Sequence, residues 1–216
     1  MPSVGEKDVL IKNIYSSICG TDIADFKHGS GTGHKIEVGG EFGHETVSRV
    51  VKVGENVTEF SVGDIVYPYP RFAKGDTRKA GTIGGFSEHI LIPKAKINHS
   101  LYRVPSEITA KTACLIEPFT VGCRATRRSL VKIGENAVVF GCGTIGIAAA
   151  ISLKYFGCNK VMICDLSNFR FNIAKELGFE VCNLQKERFE EKASAIFGKI
   201  GSRIVLVAVN NAKRQA

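Results

Sequence analysis

The chain has 216 residues, of which 44% are hydrophobic and 23% charged, and its formal net charge is +8. That length builds one large domain or two small ones, and no apolar run approaches the ~18 residues of a membrane span. The amino terminus has neither a basic start nor an apolar signal core, which points to a cytoplasmic protein, and the basic residues alternate with acidic ones without interleaved aromatics, which argues against a nucleic-acid partner.

From residue 9 to about 108, short alternating apolar runs ("VLIKNIY", "TVSRVVKVGEN", "GDIVYPYP", "GGFSEHILIP") punctuated by Gly, Pro and Asp predict a mainly β first half. The first run passes directly into "SSICGTD", where Cys19 stands beside Gly20, Thr21 and Asp22. His44 sits between Gly43 and Glu45 just before the second run. Near Ile108 the spacing turns helical, with Glu117 at a helix entrance in "LIEPFTVG". This shift places a domain boundary between residues 119 and 130, giving domains 1–124 and 125–216.

The second domain alternates strand "NAVVFG", helix "TIGIAAAISLKYFG", strand "KVMICD", helix "NFRFNIAKELG", a short strand at "EVCN", helix "ERFEEKASAIFG" and strand "RIVLVAV". Such alternation predicts a parallel sheet with right-handed crossovers. The similar hexamers "KVGENV" and "KIGENA" have unlike flanks and reflect shared turn chemistry, not a repeat. Seven cysteines, an odd number without a CxxC pair, predict buried thiols and no disulfide framework.

"GCGTIG" places Gly141, Gly143 and Gly146 in GxGxxG spacing between a strand and a helix, with Thr144 and Ile145 inside the turn. The first glycine permits the tight turn, the second lets backbone approach a pyrophosphate, and the third lets helix and strand pack closely. Asp165 follows about twenty positions later at the end of the next strand, where a carboxylate accepts ribose hydroxyls and repels a 2′-phosphate. NAD is therefore expected over NADP, with Arg170 near enough to soften the preference.

Cys19, His44 and Glu117 offer a thiolate, an imidazole and a carboxylate, a donor set suited to a catalytic zinc with its fourth position open. Singly, each has a plainer reading as a buried thiol, a loop histidine and a charge at a helix start. Their wide separation in the chain leaves the choice open.

The segments "ICGTD", "GGEFGHETVSRVVKVGENVTEFSVGDIV", "GGFSEHILIP", "LIEPFTVGCRA" and "VVFGCGTIG…CDLS" resemble, in order and spacing, the zinc-dependent medium-chain alcohol dehydrogenases, in their sorbitol (polyol) and threonine dehydrogenase branch. The resemblance runs over nearly the whole chain. It implies an α/β protein: a GroES-like β-barrel catalytic domain, then an incomplete Rossmann doubly wound parallel sheet, with zinc in the cleft between them. It further implies Cys19 and His44 as zinc ligands, Glu117 as the third, Glu45 as an alternating or supporting ligand, Asp22 as the carboxylate orienting His44, and Thr21 as the hydroxyl taking the substrate proton. The implied reaction moves a hydride from a secondary alcohol (a polyol, sugar alcohol or amino-alcohol) to NAD, in a homodimer or homotetramer.

Several departures qualify the resemblance. "RFAKGDTRKAGTI" holds none of the four cysteines of a structural zinc lobe, so one catalytic zinc and no structural zinc are expected; its Arg71, Lys74, Arg78 and Lys79 suit an anionic substrate or a solvated loop. Ala24 stands where many relatives carry a relay histidine, with His28 nearby. Phe42, Tyr69, Arg71 and Phe119 are candidate pocket residues. Against the family pattern the chain lacks a leading strand or two and the last Rossmann strands, as if truncated at both ends. The alternatives are a zinc-free reductase of the quinone-oxidoreductase type and a truncated, non-catalytic remnant.

Overall fold

A computed structural model describes residues 1–74 and 81–209; Arg78 and Lys79 lie outside the described residues. The chain forms two compact units, Met1–Glu117 and Pro118–Ala216. The division falls inside one helix, upstream of the 124/125 division expected from the change in sequence texture.

The first unit is built on an antiparallel sheet of five strands, β1 (Val9–Ser17), β2 (Glu45–Val53), β3 (Ile65–Pro68), β4 (His89–Ile92) and β5 (Leu101–Arg103), in the order β4-β1-β2-β3-β5. β-branched and aliphatic residues drive it: Val9, Ile11, Val50, Val66, Ile90, Ile92 and Leu101 close over Phe60 and Ile83 in one buried cluster. Two register shifts, at Leu10/Ile11 and Asn13/Tyr15, break the β1–β2 ladder on the way to Ser17.

The β-rich texture of this half conceals a helix, α1 (Gly20–His28). Asp22 Oδ2 accepts the Cys19 N–H at 2.8 Å, satisfying an amide at the helix entrance, and Lys27 and His28 complement the negative end of the helix dipole. Gly29, at φ +92°, ends it. A single turn, α2 (Ala110–Ala113), and the long α3 (Ile116–Arg128) follow β5.

The second unit holds a parallel sheet of β6 (Ala137–Phe140), β7 (Val161–Asp165), β8 (Glu180–Asn183) and β9 (Ile204–Val207), in the order β8-β7-β6-β9. Its helices are α4 (Thr144–Tyr155), α5 (Asn168–Glu176) and α6 (Phe189–Phe197). The strand period of two divides the core: Ala137, Val139, Val161 and Ile163 join the residues of α4 and α5, whereas Val138, Met162 and Cys164 join those of α6. Helices thus cover both faces, as a doubly wound sheet requires. α3 packs on α4 through Gly122, where a Cβ would fall 2.6 Å from the Ala149 nitrogen. At the β9 end Val205 and Val207 are exposed. Among the described residues no helix is long and apolar enough to cross a membrane.

Candidate metal centre and dinucleotide turn

Three ligand-type side chains gather in the first unit. Cys19 stands at the entrance of α1, His44 just before β2, and Glu45 opens β2, and one donor atom of each lies within 4.8 Å of the other two. His44 and Glu45 are buried and Cys19 partly so. Glu117 is not a member of this set, yet it is close enough to feel the charges of His44, Glu45 and Asp22.

The positions follow from local chemistry. Asp22 uses Oδ2 to hold the Cys19 amide and turns Oδ1 toward His44 Nδ1, 3.5 Å away. Gly43, at φ +86°, lies so close to the Phe86 ring that a Cβ would meet it at 2.8 Å, and its carbonyl accepts the Gly85 N–H at 2.8 Å. Asn13 joins this loop to the sheet: its Nδ2 donates to the Gly85 carbonyl at 3.0 Å, and its Oδ1 accepts Thr46 Oγ1 at 3.0 Å and Ser48 Oγ at 2.6 Å. Ser17 Oγ donates to Glu45 Oε2.

The electrostatics are those of clustered carboxylates around a thiol and an imidazole. Burial pushes the Cys19 thiol above its ordinary value, and the Glu45 carboxylate pushes it further. Burial likewise raises Glu117, with Glu45 and Asp22 adding to the rise and His44 opposing it. Thr21 Oγ1, Asp22 Oδ1 and His44 Nδ1 are buried without a hydrogen bond, the last two facing each other at 3.5 Å. A divalent cation would offset the crowded negative charge and draw the thiol toward thiolate. Sulfur, imidazole and carboxylate donors fit zinc, so the residues present suit the metal.

The second unit contains the glycine turn. Gly141 has φ +112°, and a Cβ on it would fall 2.6 Å from the Ala208 carbonyl; one on Gly146 would fall 1.8 Å from the Gly141 carbonyl. The chain's own packing thus demands both glycines. Gly143 differs: among the described residues a Cβ there would approach nothing nearer than Arg170 Nη1, at 3.9 Å. Thr144 and Ile145 open α4, where first-turn amides lack intrahelical acceptors.

Asp165 ends β7 and is bound into the turn. Its Oδ2 accepts the Cys142 N–H at 2.6 Å, its Oδ1 accepts Leu166 at 2.7 Å and Ser167 at 3.0 Å, and Arg170 Nη1 stands 3.7 Å from Oδ2. Burial alone would raise this carboxyl, but the three amides and the guanidinium hold it below the ordinary range. It is ionised at neutral pH, and its remaining lone pairs can still accept hydroxyls.

Residues 5–105 match the family model of the alcohol dehydrogenase GroES-like domain. The L-threonine 3-dehydrogenase of Shewanella loihica is 30% identical over 207 residues, covering 88% of this chain and 59% of that protein. The fold superposes on 2R,3R-butanediol dehydrogenase from Bacillus subtilis with a TM-score of 0.76 and 28% identity, covering 90% of this chain and 61% of that one. Galactitol-1-phosphate dehydrogenase from Escherichia coli gives 0.72 and 25%, covering 90% and 59%. The chain belongs to the zinc-dependent medium-chain alcohol dehydrogenase family. It spans less than two thirds of the length of each of these relatives.

Within that family frame, several site neighbours escaped sequence reasoning. His34 packs against His44, Cys114 Sγ lies 3.9 Å from the Glu45 carbonyl, and Ser17 holds Glu45. His34 and Cys114 belong to no motif, and Ser17 lies in "SSICGTD" without a signal of its own; the one sequence signal was Asp22 three positions after Cys19, the spacing of a capping pair. His28 is exposed at the end of α1. Phe42 lines an apolar cavity of about 350 Å³ with Ile18, Asp22, Ile23, Phe26 and Phe86. Tyr69 instead packs among Tyr67, Tyr102 and Phe72, the last of which lies under Arg71, and Phe119 is exposed in the second unit.

Proposed function

We propose that the chain carries the site of a secondary-alcohol dehydrogenase that uses one catalytic zinc, no structural zinc, and NAD as hydride acceptor. The substrate is a small alcohol of the polyol, sugar-alcohol or amino-alcohol class. The observation that carries the reading is the convergence of Cys19, His44 and Glu45, three donors of the kind zinc takes, from separate parts of one unit.

Bound there, zinc supplies a Lewis acid that polarises the alcohol oxygen and eases its deprotonation. The chain's own residues do the rest. Cys19 and His44 are the fixed ligands, and Glu45 and Glu117 are the carboxylates that share the remaining protein position. Asp22 faces His44 Nδ1, which leaves Nε2 for the metal and steadies the ring. Thr21, whose hydroxyl is buried, accepts a hydrogen bond from the substrate hydroxyl and, as that proton comes to it, passes its own outward through cofactor ribose and water.

For the cofactor, the open space over Gly143 and the first-turn amides of Thr144, Ile145 and Gly146 receive the pyrophosphate. The ionised Asp165 accepts the ribose hydroxyls and disfavours a 2′-phosphate, and Arg170 moderates that choice.

NADH formation by the zinc-loaded protein from a panel of secondary alcohols tests this reading. Turnover is expected with NAD, and Thr21→Ala is expected to keep its zinc and lose roughly 100-fold or more in kcat. Full turnover in Thr21→Ala would remove the relay role; no NADH from any alcohol would contradict the whole reading.

A further inference from the structure

Ser17, the last residue of β1, lies two positions before Cys19 and is paired with Glu45 in the β1–β2 ladder. Directly opposed residues of an antiparallel pair stand on the same face with Cβ atoms about 5 Å apart, so the serine hydroxyl is delivered to the glutamate side chain.

The pairing depends on one extra residue. Asn13 faces Ser48 and Tyr15 faces Val47, so Ile14 is inserted and β1 slips by one position. Had the register of Asn13 continued, Ser16 would stand opposite Glu45. Ser16 instead faces Thr46, and its hydroxyl donates to the Gly85 carbonyl.

Glu45 is held at two points. Ser17 Oγ donates to Glu45 Oε2, and the Cys114 thiol, at the end of α2, donates to the Glu45 main-chain carbonyl at 3.9 Å. Ala113 and Cys114 share a buried cluster with Val47, which packs the end of α2 against β2. The bond from Ser17 takes one of the roughly four lone-pair sites of the carboxylate and leaves the others for a cation. Glu117 is placed differently: it lies outside the trio, only partly buried, where Glu45 and Asp22 act on it as like charges.

We propose that Ser17 is a positioning residue of the metal site: its hydroxyl fixes Glu45, so that Glu45 in preference to Glu117 supplies the third protein ligand to zinc. The proposal rests on the zinc reading above. A carboxylate already aligned by its neighbour loses less rotamer freedom when a metal arrives than one that must first be drawn in.

Zinc per chain is measured on the purified parent protein first. Zinc affinity is then read by competition against a chelator for the parent, Ser17→Ala, Glu45→Ala, Glu117→Ala and the double variant of Ser17 and Glu45. Ser17→Ala is expected to bind zinc about tenfold more weakly, and Glu45→Ala to lose more affinity than Glu117→Ala. In the Glu45→Ala protein the same change at Ser17 should leave the affinity within about twofold, because the serine acts through that carboxylate. With cobalt in place of zinc at saturation, the visible absorption bands of Ser17→Ala should differ from those of the parent, which a loss of fold stability alone would not produce. Parent-like affinity or an unchanged cobalt spectrum in Ser17→Ala would overturn the proposal. So would an equal loss from Ser17→Ala with and without Glu45, or a loss in Glu117→Ala as large as that in Glu45→Ala. A parent protein that holds no zinc would overturn the underlying reading and the proposal with it, and the metal analysis shows this before any variant is compared. Should Ser17→Ala fail to fold, Ser17→Gly removes the same hydroxyl and takes its place in each comparison.

Discussion

The two candidate sites are built in opposite ways. The glycine turn of the second unit is local: β6, the turn and the first residues of α4 are continuous in sequence, and the structural positions are already satisfied by the chain's own atoms. The metal trio of the first unit is assembled from separated segments and leaves Thr21 Oγ1 buried without a hydrogen-bond partner and Asp22 Oδ1 and His44 Nδ1 facing only each other, at 3.5 Å. A site that satisfies itself holds its shape without a ligand, whereas a site with orphaned polar atoms and crowded carboxylates is stabilised by one. The first unit should therefore respond to metal and the second to changes in packing.

Substitutions can break that contrast from either side, and the largest expected effect is steric. Gly146→Ala would drive a Cβ to 1.8 Å from the Gly141 carbonyl, so the turn must open, and a loss of about 2–3 kcal/mol in unfolding free energy is expected by denaturant titration. Among the described residues Gly143→Ala meets no atom closer than 3.9 Å; its unfolding midpoint should hardly move while NAD binding weakens. Equal stability losses in both variants would contradict the distinction between the turn's close-packed glycine and its open one.

Asp22→Asn tests the other side. It keeps an acceptor for the Cys19 amide but removes the charge facing His44, and zinc affinity is expected to fall about 10- to 100-fold in a competition titration against a chelator. An affinity unchanged by the substitution would remove Asp22 from the support of the metal site. Asp165→Asn should move the ratio of NAD to NADP dissociation constants toward NADP by about tenfold, because it removes the charge that repels a 2′-phosphate and leaves Arg170 unopposed.

The smallest effect lies at the surface of the second unit. Glu135 accepts from Arg203 and from the Lys132 N–H, which together hold its carboxyl at about 2 against an ordinary 4.5. The folded value is the lower one, so this contribution is fully present above pH 4.5 and is lost as pH falls toward 2. The unfolding midpoint of Glu135→Gln should depend less on pH than that of the parent across this window. A parallel pH dependence in the two proteins would show that the pair carries no linkage.

How much could be read beforehand follows from the same contrast. The parallel sheet and its helices were legible because the period of each element is written in adjacent residues, as in Val138 and Val139 pointing to opposite faces of β6. GxGxxG with Asp165 was legible for the same reason. α1 was not: it has only a weak apolar stripe and sits in a β-rich half, and it is fixed by a carboxylate capping an amide, a signal one residue wide. The convergence of Cys19, His44 and Glu45 depends on long-range pairing between β1 and β2, in which Ser17 lies opposite Glu45, and no local spacing encodes it. There the family resemblance supplied the expectation, and the geometry shows which residues come within reach of one another. It brings Glu45 into the trio and leaves Glu117 outside it, where the resemblance had Glu117 as the third ligand and Glu45 in support. His34 was invisible because only the fold brings it to His44.

The central claim is that this chain assembles a zinc site, and zinc per chain by elemental analysis of the purified protein tests it most directly, with Cys19→Ser as control. One zinc per chain that disappears in Cys19→Ser is the expected result. No zinc in the parent protein, or the same zinc content in both, would contradict it.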